Sequence, residues 1–212
     1  MSSVACSLIP TLPRARERGT VLAQVVVSTL LLALAGCGEE ATITPEAPSR
    51  VEAVGARRED PAERFCDVSA PVGQGRALAL PAVEGAALSA EGWRWINVWA
   101  TWCAPCIEEL PLIASFQSRM SAAGAPVSTY FLSVDQTAEA VTTYRAAHPE
   151  TPEGARLTDA AGLPALIASF GLDTGATIPI HVLLDPSGHV RCARSGSISE
   201  RDYDTIRAIV AD

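Results

Sequence analysis

Apolar and polar positions change period several times along this chain, and the changes mark out its elements. Arg76 to Pro81 reads as a short early strand. Trp95 to Ala100 is a compact apolar run, the pattern of a strand buried on both faces. Cys103 to about Ala122 has helical character and stops before Gly124, and Val127 to Val134 is a second apolar strand. Thr137 to Ala147 predicts a helix with Ala138, Val141, Tyr144 and Ala147 on one face. A polar loop follows, then a short helix near Leu163 to Phe170. Ile180 to Asp185, the turn Pro186-Ser187-Gly188 and His189 to Ala193 give a hairpin signal. Ser199 with Asp202 forms a capping-box pattern ahead of a stripe of Tyr203, Ile206 and Ile209. Strand–helix–strand, then hairpin, then helix, predicts an α/β fold with a mixed central sheet flanked by helices.

The N-terminus has a different character. Arg14, Arg16 and Arg18 precede an apolar run from Val21 to Gly36, shorter than the roughly 20 residues that span a bilayer. The run ends in Leu34-Ala35-Gly36-Cys37, which resembles the bacterial lipoprotein signal. That resemblance implies removal of residues 1–36 and acylation of Cys37, the alternative being an ordinary signal peptide. Residues 37–65 are rich in Glu, Ala, Pro and Arg without a sustained apolar period, and they read as a tether. Residues 66–212 are then one domain, long enough for a proper core.

Charge narrows the partners. The chain carries 24 acidic and 16 basic residues, every basic one arginine, and the first 36 residues hold three of those arginines against Glu17 alone. The remainder is more acidic still, which argues against a nucleic-acid partner. Gly73-Gln74-Gly75 fails the dinucleotide pattern at Leu78, and neither a Gly-x-Ser-x-Gly elbow nor a phosphate loop is present.

Cysteine usage adds the chemistry. With Cys6 lost in the signal and Cys37 lipidated, Cys66, Cys103, Cys106 and Cys192 remain. An even number outside the cytoplasm suggests pairing, Cys103 with Cys106 and Cys66 with Cys192. For the second pair, two free buried thiols are the alternative. A zinc site would want a second Cys-x-x-Cys, and c-type haem attachment would want histidine where Ile107 stands. A purely structural disulfide closes too short a loop to stabilise much. A redox role fits the context, because Cys103 falls at a predicted helix N-terminus, where partial positive charge favours a thiolate. Cys106, one turn further, is in reach to resolve a mixed disulfide, and Pro105 sits where a missing N–H costs little.

Trp102-Cys103-Ala104-Pro105-Cys106, with Trp99-Ala100 before it and Pro111 after it, resembles the thioredoxin superfamily. Cys106-Ile107-Glu108-Glu109-Leu110-Pro111 is similar to its TlpA/ResA-like branch of exported, membrane-tethered reductases. The resemblance implies an active-site role for Glu109, for which a solvated surface acid is the alternative. Asn97 takes the place of the buried aspartate of thioredoxin, so another group should manage the proton of the buried thiol. Thr177-Ile178-Pro179-Ile180 resembles the cis-proline segment that faces the cysteines, which makes Pro179 part of the site. Trp102 and Ile178 then fall at the client-binding surface. Ile180 and His181 depart from the threonine common after that proline. His181 reads as a packed strand residue, or alternatively as a metal ligand or proton carrier; His148 and His189 read as loop residues.

These features imply a thiol–disulfide oxidoreductase with no cofactor beyond the Cys103–Cys106 disulfide. Its partners would be protein thiol clients and a membrane electron donor, with apocytochrome c or copper-site cysteines as clients typical of the branch. It would be lipid-anchored in a bacterial envelope, facing the periplasm. The need for electrons from the inner membrane favours that membrane, although Gly38 follows the acylated cysteine. Two alternatives remain: a thiol peroxidase, whose threonine three residues before the cysteine is here Ala100, and a copper chaperone using Cys103, Cys106 and His181.

Overall fold

A computed structural model describes residues 59–211. Residues 1–36, Cys37 and the tether as far as residue 58 lie outside the described residues. No described helix is long and apolar enough to cross a membrane.

Among the described residues, seven strands form one mixed sheet in the order β1-β7-β6-β3-β4-β5-β2. They are β1 Val68–Ser69, β2 Val83–Gly85, β3 Trp93–Trp99, β4 Val127–Ser133, β5 Gly154–Leu157, β6 Ile180–Leu184 and β7 Val190–Ser195. β3 runs parallel to β4 on one side and antiparallel to β6 on the other. Paired on both edges and covered on both faces, it needs side chains that bury either way, and Trp95, Ile96, Val98 and Trp99 are fully buried. This is the strand predicted from the apolar run at 95–100.

Helices α1 Pro61–Phe65, α2 Ala104–Ala122, α3 Ala138–Ala147, α4 Leu163–Ser169 and α5 Tyr203–Val210 complete the fold. Phe116 of α2 packs on Trp95 and edge-on against Tyr203, which sets α2 and α5 on the same face of the sheet. Tyr144 of α3 meets Trp99 edge to face. The capping box at Ser199 and Asp202 is present, and Ile206 and Ile209 are buried as their spacing predicts. A parallel β3–α2–β4 unit followed by the antiparallel pair β6–β7 and a closing helix is a thioredoxin-like arrangement.

Besides the short edge strands β1 and β2, which the sequence did not predict, three segments differ from the sequence reading. Arg76 to Pro81 forms no strand; its ladder is one isolated bridge, Ala77 to His189, at the turn end of β7. The polar loop after α3 contains β5, whose residues are all buried. Its Arg156 hides a guanidinium by donating to the carbonyls of Asp135, Gln136 and Leu157 and pairing with Glu84 at 2.7 Å. Gly154 allows the close approach, since a Cβ there would fall 2.1 Å from the Phe131 carbonyl oxygen.

The third difference is α1, which occupies residues read as the end of the tether. Asp60 caps it by accepting from the Ala62 N–H at 2.9 Å, and Pro61 opens its first turn. Ala62 and Phe65 join the core. The segment is fastened to β7, where the buried Arg191 reaches Asp60 at 2.5 Å and donates to the Ala70 carbonyl. Arg194 donates to the Phe65 carbonyl and lies over its ring, and the Ser195 N–H donates to Asp67.

Asp60 makes this fastening sensitive to acid. Burial alone would push its carboxyl up, but the Arg191 hydrogen bond, the Ala62 N–H and the Arg191 charge outweigh that and hold it below the ordinary 3.8. A carboxyl lowered on folding adds stability that is present above its unfolded value and lost as pH falls through its folded value. Asp60→Asn should therefore cost about 2 kcal/mol at neutral pH. That gap from wild type should close below about pH 3.8. Denaturant unfolding of both proteins from neutral to strongly acidic pH checks this, and a gap that stays constant in acid would exclude the charge of Asp60 as its source.

Candidate redox site

The site is built where β3 hands the chain to α2. Thr101 turns the corner, held by the buried Asp135 just beyond β4: its N–H and hydroxyl donate to that carboxylate at 3.0 and 2.7 Å. Ser133 donates to the same carboxylate at 2.7 Å. Sequence reasoning missed Asp135, although an acid immediately after a buried strand was a visible signal. The Cys103 N–H then bonds to the Ala100 carbonyl, and Cys103 becomes the N-cap of α2 with extended backbone. Its side chain makes no capping hydrogen bond, and no acid lies in the first turn to compete with sulfur for the helix terminus. Cys103 and Cys106 are joined in a disulfide with α-carbons 5.3 Å apart.

Ile178–Pro179 is a cis peptide. Ser195 and Gly196 secure it from the end of β7, donating to the Thr177 and Pro179 carbonyls at 2.7 and 2.9 Å. An open groove of about 570 Å³ runs between this segment and the start of α2, lined by Trp102, Cys103, Pro105, Leu163, Thr177 and Ile178 among others. Trp102 stands 68 % exposed on its wall. Cys103 lines the groove, while Cys106 is fully buried and does not. Trp102, Cys103 and Ile178, expected at the client surface, are thus brought together beside Pro179.

Behind the disulfide lies a buried polar group. Glu109 is 3 % exposed, on the interior face of α2 one turn beyond Cys106, so it is no solvated surface acid. One carboxylate oxygen accepts from Asn97 Nδ2 at 2.9 Å, the other from the Ile198 N–H at 3.2 Å. His181 Nε2 lies 3.3 Å from Glu109 Oε1, and its Nδ1 accepts from the Trp95 indole N–H at 3.3 Å. The role of Ile198, a backbone contact from a distant loop, had no side-chain signal in the sequence. His148 stacks on Tyr144 at the end of α3, and His189 sits in the hairpin turn beside Ser187, both away from this group. Among the described residues, no cluster of three or more His, Cys, Asp and Glu is placed to hold a metal ion.

Cys66 and Cys192 form a second disulfide with α-carbons 5.5 Å apart, joining the end of α1 to β7. It lies outside the groove and belongs to the N-terminal fastening.

Fold and site together give a thioredoxin-like fold with a Cys-x-x-Cys disulfide heading the helix after its central strand. Comparison with protein-family models and with curated proteins gives no match. Among solved structures, the chain is similar to a thiol:disulfide interchange protein from Bacteroides sp., at 13% identity over 66% of this chain and 92% of that one, TM-score 0.49. It is also similar to a DsbE-type thiol:disulfide interchange protein from Chlorobium tepidum, at 17% identity over 66% and 99%, TM-score 0.48. StoA from Bacillus subtilis is a further similar structure, at 21% identity over 62% and 98%, TM-score 0.41.

Proposed function

We propose that this protein is an exported thiol–disulfide oxidoreductase that reduces cysteine pairs in proteins of the bacterial envelope. The observation that carries the reading is the asymmetry of the Cys103–Cys106 disulfide: one residue lines an apolar groove, and its partner is fully buried. In the reduced protein, Cys103 attacks a client disulfide, whose bond breaks as a mixed disulfide forms. Cys106 then displaces the client, closing the Cys103–Cys106 bond, and the client disulfide, having gained two electrons, leaves as a dithiol. Glu109, one turn from Cys106 and hydrogen-bonded through both oxygens, is the base that takes the Cys106 proton. Trp102 and Ile178 grip the client chain on either side of the reacting sulfur.

Cys37 anchors the protein to a membrane by lipid, the inner membrane being the source of electrons, and a membrane dithiol protein regenerates the reduced form. Apocytochrome c cysteines and oxidase copper-site cysteines are the client types that fit such a reductant.

Equilibrating the full chain with thiol–disulfide buffers tests the direction. A midpoint for Cys103–Cys106 near the thioredoxin end of the scale, about −270 mV, is expected of a reductant. A value near about −120 mV, where strong oxidants such as DsbA lie, would overturn the direction.

A further inference from the structure

The exchange chemistry above leaves one buried ionisable side chain without a task. His181 is 2 % exposed in the middle of β6, flanked along the strand by Ile180, Val182, Leu183 and Leu184. Register sets it directly across from Asn97 of β3 and Arg194 of β7. An imidazole there costs stability unless its nitrogens find partners.

Its two nitrogens face different groups. The Trp95 indole N–H can only donate, so Nδ1, which receives it at 3.3 Å, must be the unprotonated nitrogen. In a neutral ring the proton is then on Nε2, the nitrogen 3.3 Å from Glu109 Oε1, a contact short of hydrogen-bond alignment. The same oxygen accepts from Asn97, and the other accepts from Ile198. From β3, from β6 and from the loop before α5, what faces the Glu109 carboxyl is an N–H. The ionisable groups around the pair are Cys106 and the exposed Glu108 on α2, and Arg194 on β7. The Arg194 guanidinium is engaged with the Phe65 carbonyl and ring.

We propose that His181 is the positioning residue for Glu109. Trp95 fixes the imidazole in its Nε2–H form, and that N–H faces, in polar contact, the carboxyl that Asn97 and Ile198 hydrogen-bond one turn from Cys106. This rests on the exchange reaction proposed above. In the resolving step the Cys106 S–H proton moves to a Glu109 oxygen, and the Cys106 sulfur bonds to Cys103 Sγ. The bond from Cys103 to the client sulfur breaks, and the client thiolate leaves with the electron pair and takes a proton from water. His181 keeps its own proton throughout. Its contribution is to steady the charge that Glu109 carries before the transfer.

Single-turnover reduction of oxidised glutathione by the reduced full chain tests this, with decay of the mixed disulfide followed across pH. In wild type, the resolving rate is expected to climb with pH along an acid limb. His181→Phe keeps a ring and removes the donor. It should move that limb to higher pH, with the rate on the acid side down about tenfold and the two proteins converging in alkali. His181→Gln, which restores an N–H, should recover most of the loss. An unmoved limb in His181→Phe would overturn the proposal, even if its unfolding midpoint drops, and so would a glutamine variant as slow as phenylalanine. Should neither variant fold, the imidazole nitrogen chemical shifts of the wild-type protein decide: Nε2–H is expected, and an Nδ1–H ring overturns the assignment. A wild-type chain that forms no mixed disulfide at all sinks the exchange reaction itself, and the nitrogen shifts still decide the tautomer.

Discussion

With Cys106 replaced by serine, mixed disulfides between the protein and its clients are expected to accumulate through Cys103. The Cys103→Ser protein should instead form none and retain less than about a thousandth of the wild-type exchange rate. The asymmetry follows from position. Cys103 caps a helix of 19 residues, whose N-terminus favours a thiolate there, and it lines the groove. Cys106 has no exposed surface, so it meets no client sulfur and reacts only with the sulfur of Cys103 once the client is bound there. Non-reducing electrophoresis of the serine variants, with mass spectrometry of the trapped adducts, reads the outcome directly. Adducts on Cys106 in the Cys103→Ser protein would reverse the roles.

Removing the second disulfide should have the largest effect on stability. The Cys66–Cys192 bridge spans a sequence separation of 126, and cross-linking so long a loop removes much of the freedom of the unfolded chain. The loop-entropy relation gives about 4–5 kcal/mol for the double Cys66→Ala, Cys192→Ala variant. That is a large share of the roughly 5–15 kcal/mol by which a domain is usually stable. Urea unfolding with the Cys103–Cys106 pair held oxidised in both proteins isolates the effect. A loss under about 1 kcal/mol would mean that the unfolded chain is already compact. Mild reductant should open Cys103–Cys106 first, since Cys103 sits at a helix N-terminus that favours its thiolate.

How far the fold was legible depended on how each element buries itself. β3, β4, α2 and the β6–β7 hairpin came through because apolar runs and turn residues state them locally. β5 did not, because its four residues carry an arginine whose burial depends on three carbonyls and a glutamate, none visible in a short window. α1 was misjudged for a different reason. Asp60-Pro61 is a local helix-start signal, but it sits in charged, alanine-rich sequence whose composition reads as tether. At the site, the cysteines, Pro179 and Trp102 could be named from their motif. The use of His181 could not, since its meaning lies in Trp95, Asn97 and Glu109, which only the sheet register and the packing of α2 bring to it.

The fastening of residues 60–70 to β7 has a mechanical meaning as well. A pull on the chain ahead of Asp60 meets the Asp60–Arg191 pair first and then, at Cys66, a covalent bond into β7. Tension entering there is handed directly to Cys192, so the residues between the two cysteines, Cys103 and Cys106 among them, lie off the line of force. Even if α1 peels away, the extension locked behind the bridge, roughly 430 Å of chain, stays out of reach. A pull on the N-terminal side would extend only residues ahead of Cys66 and leave the thiol pair in its groove.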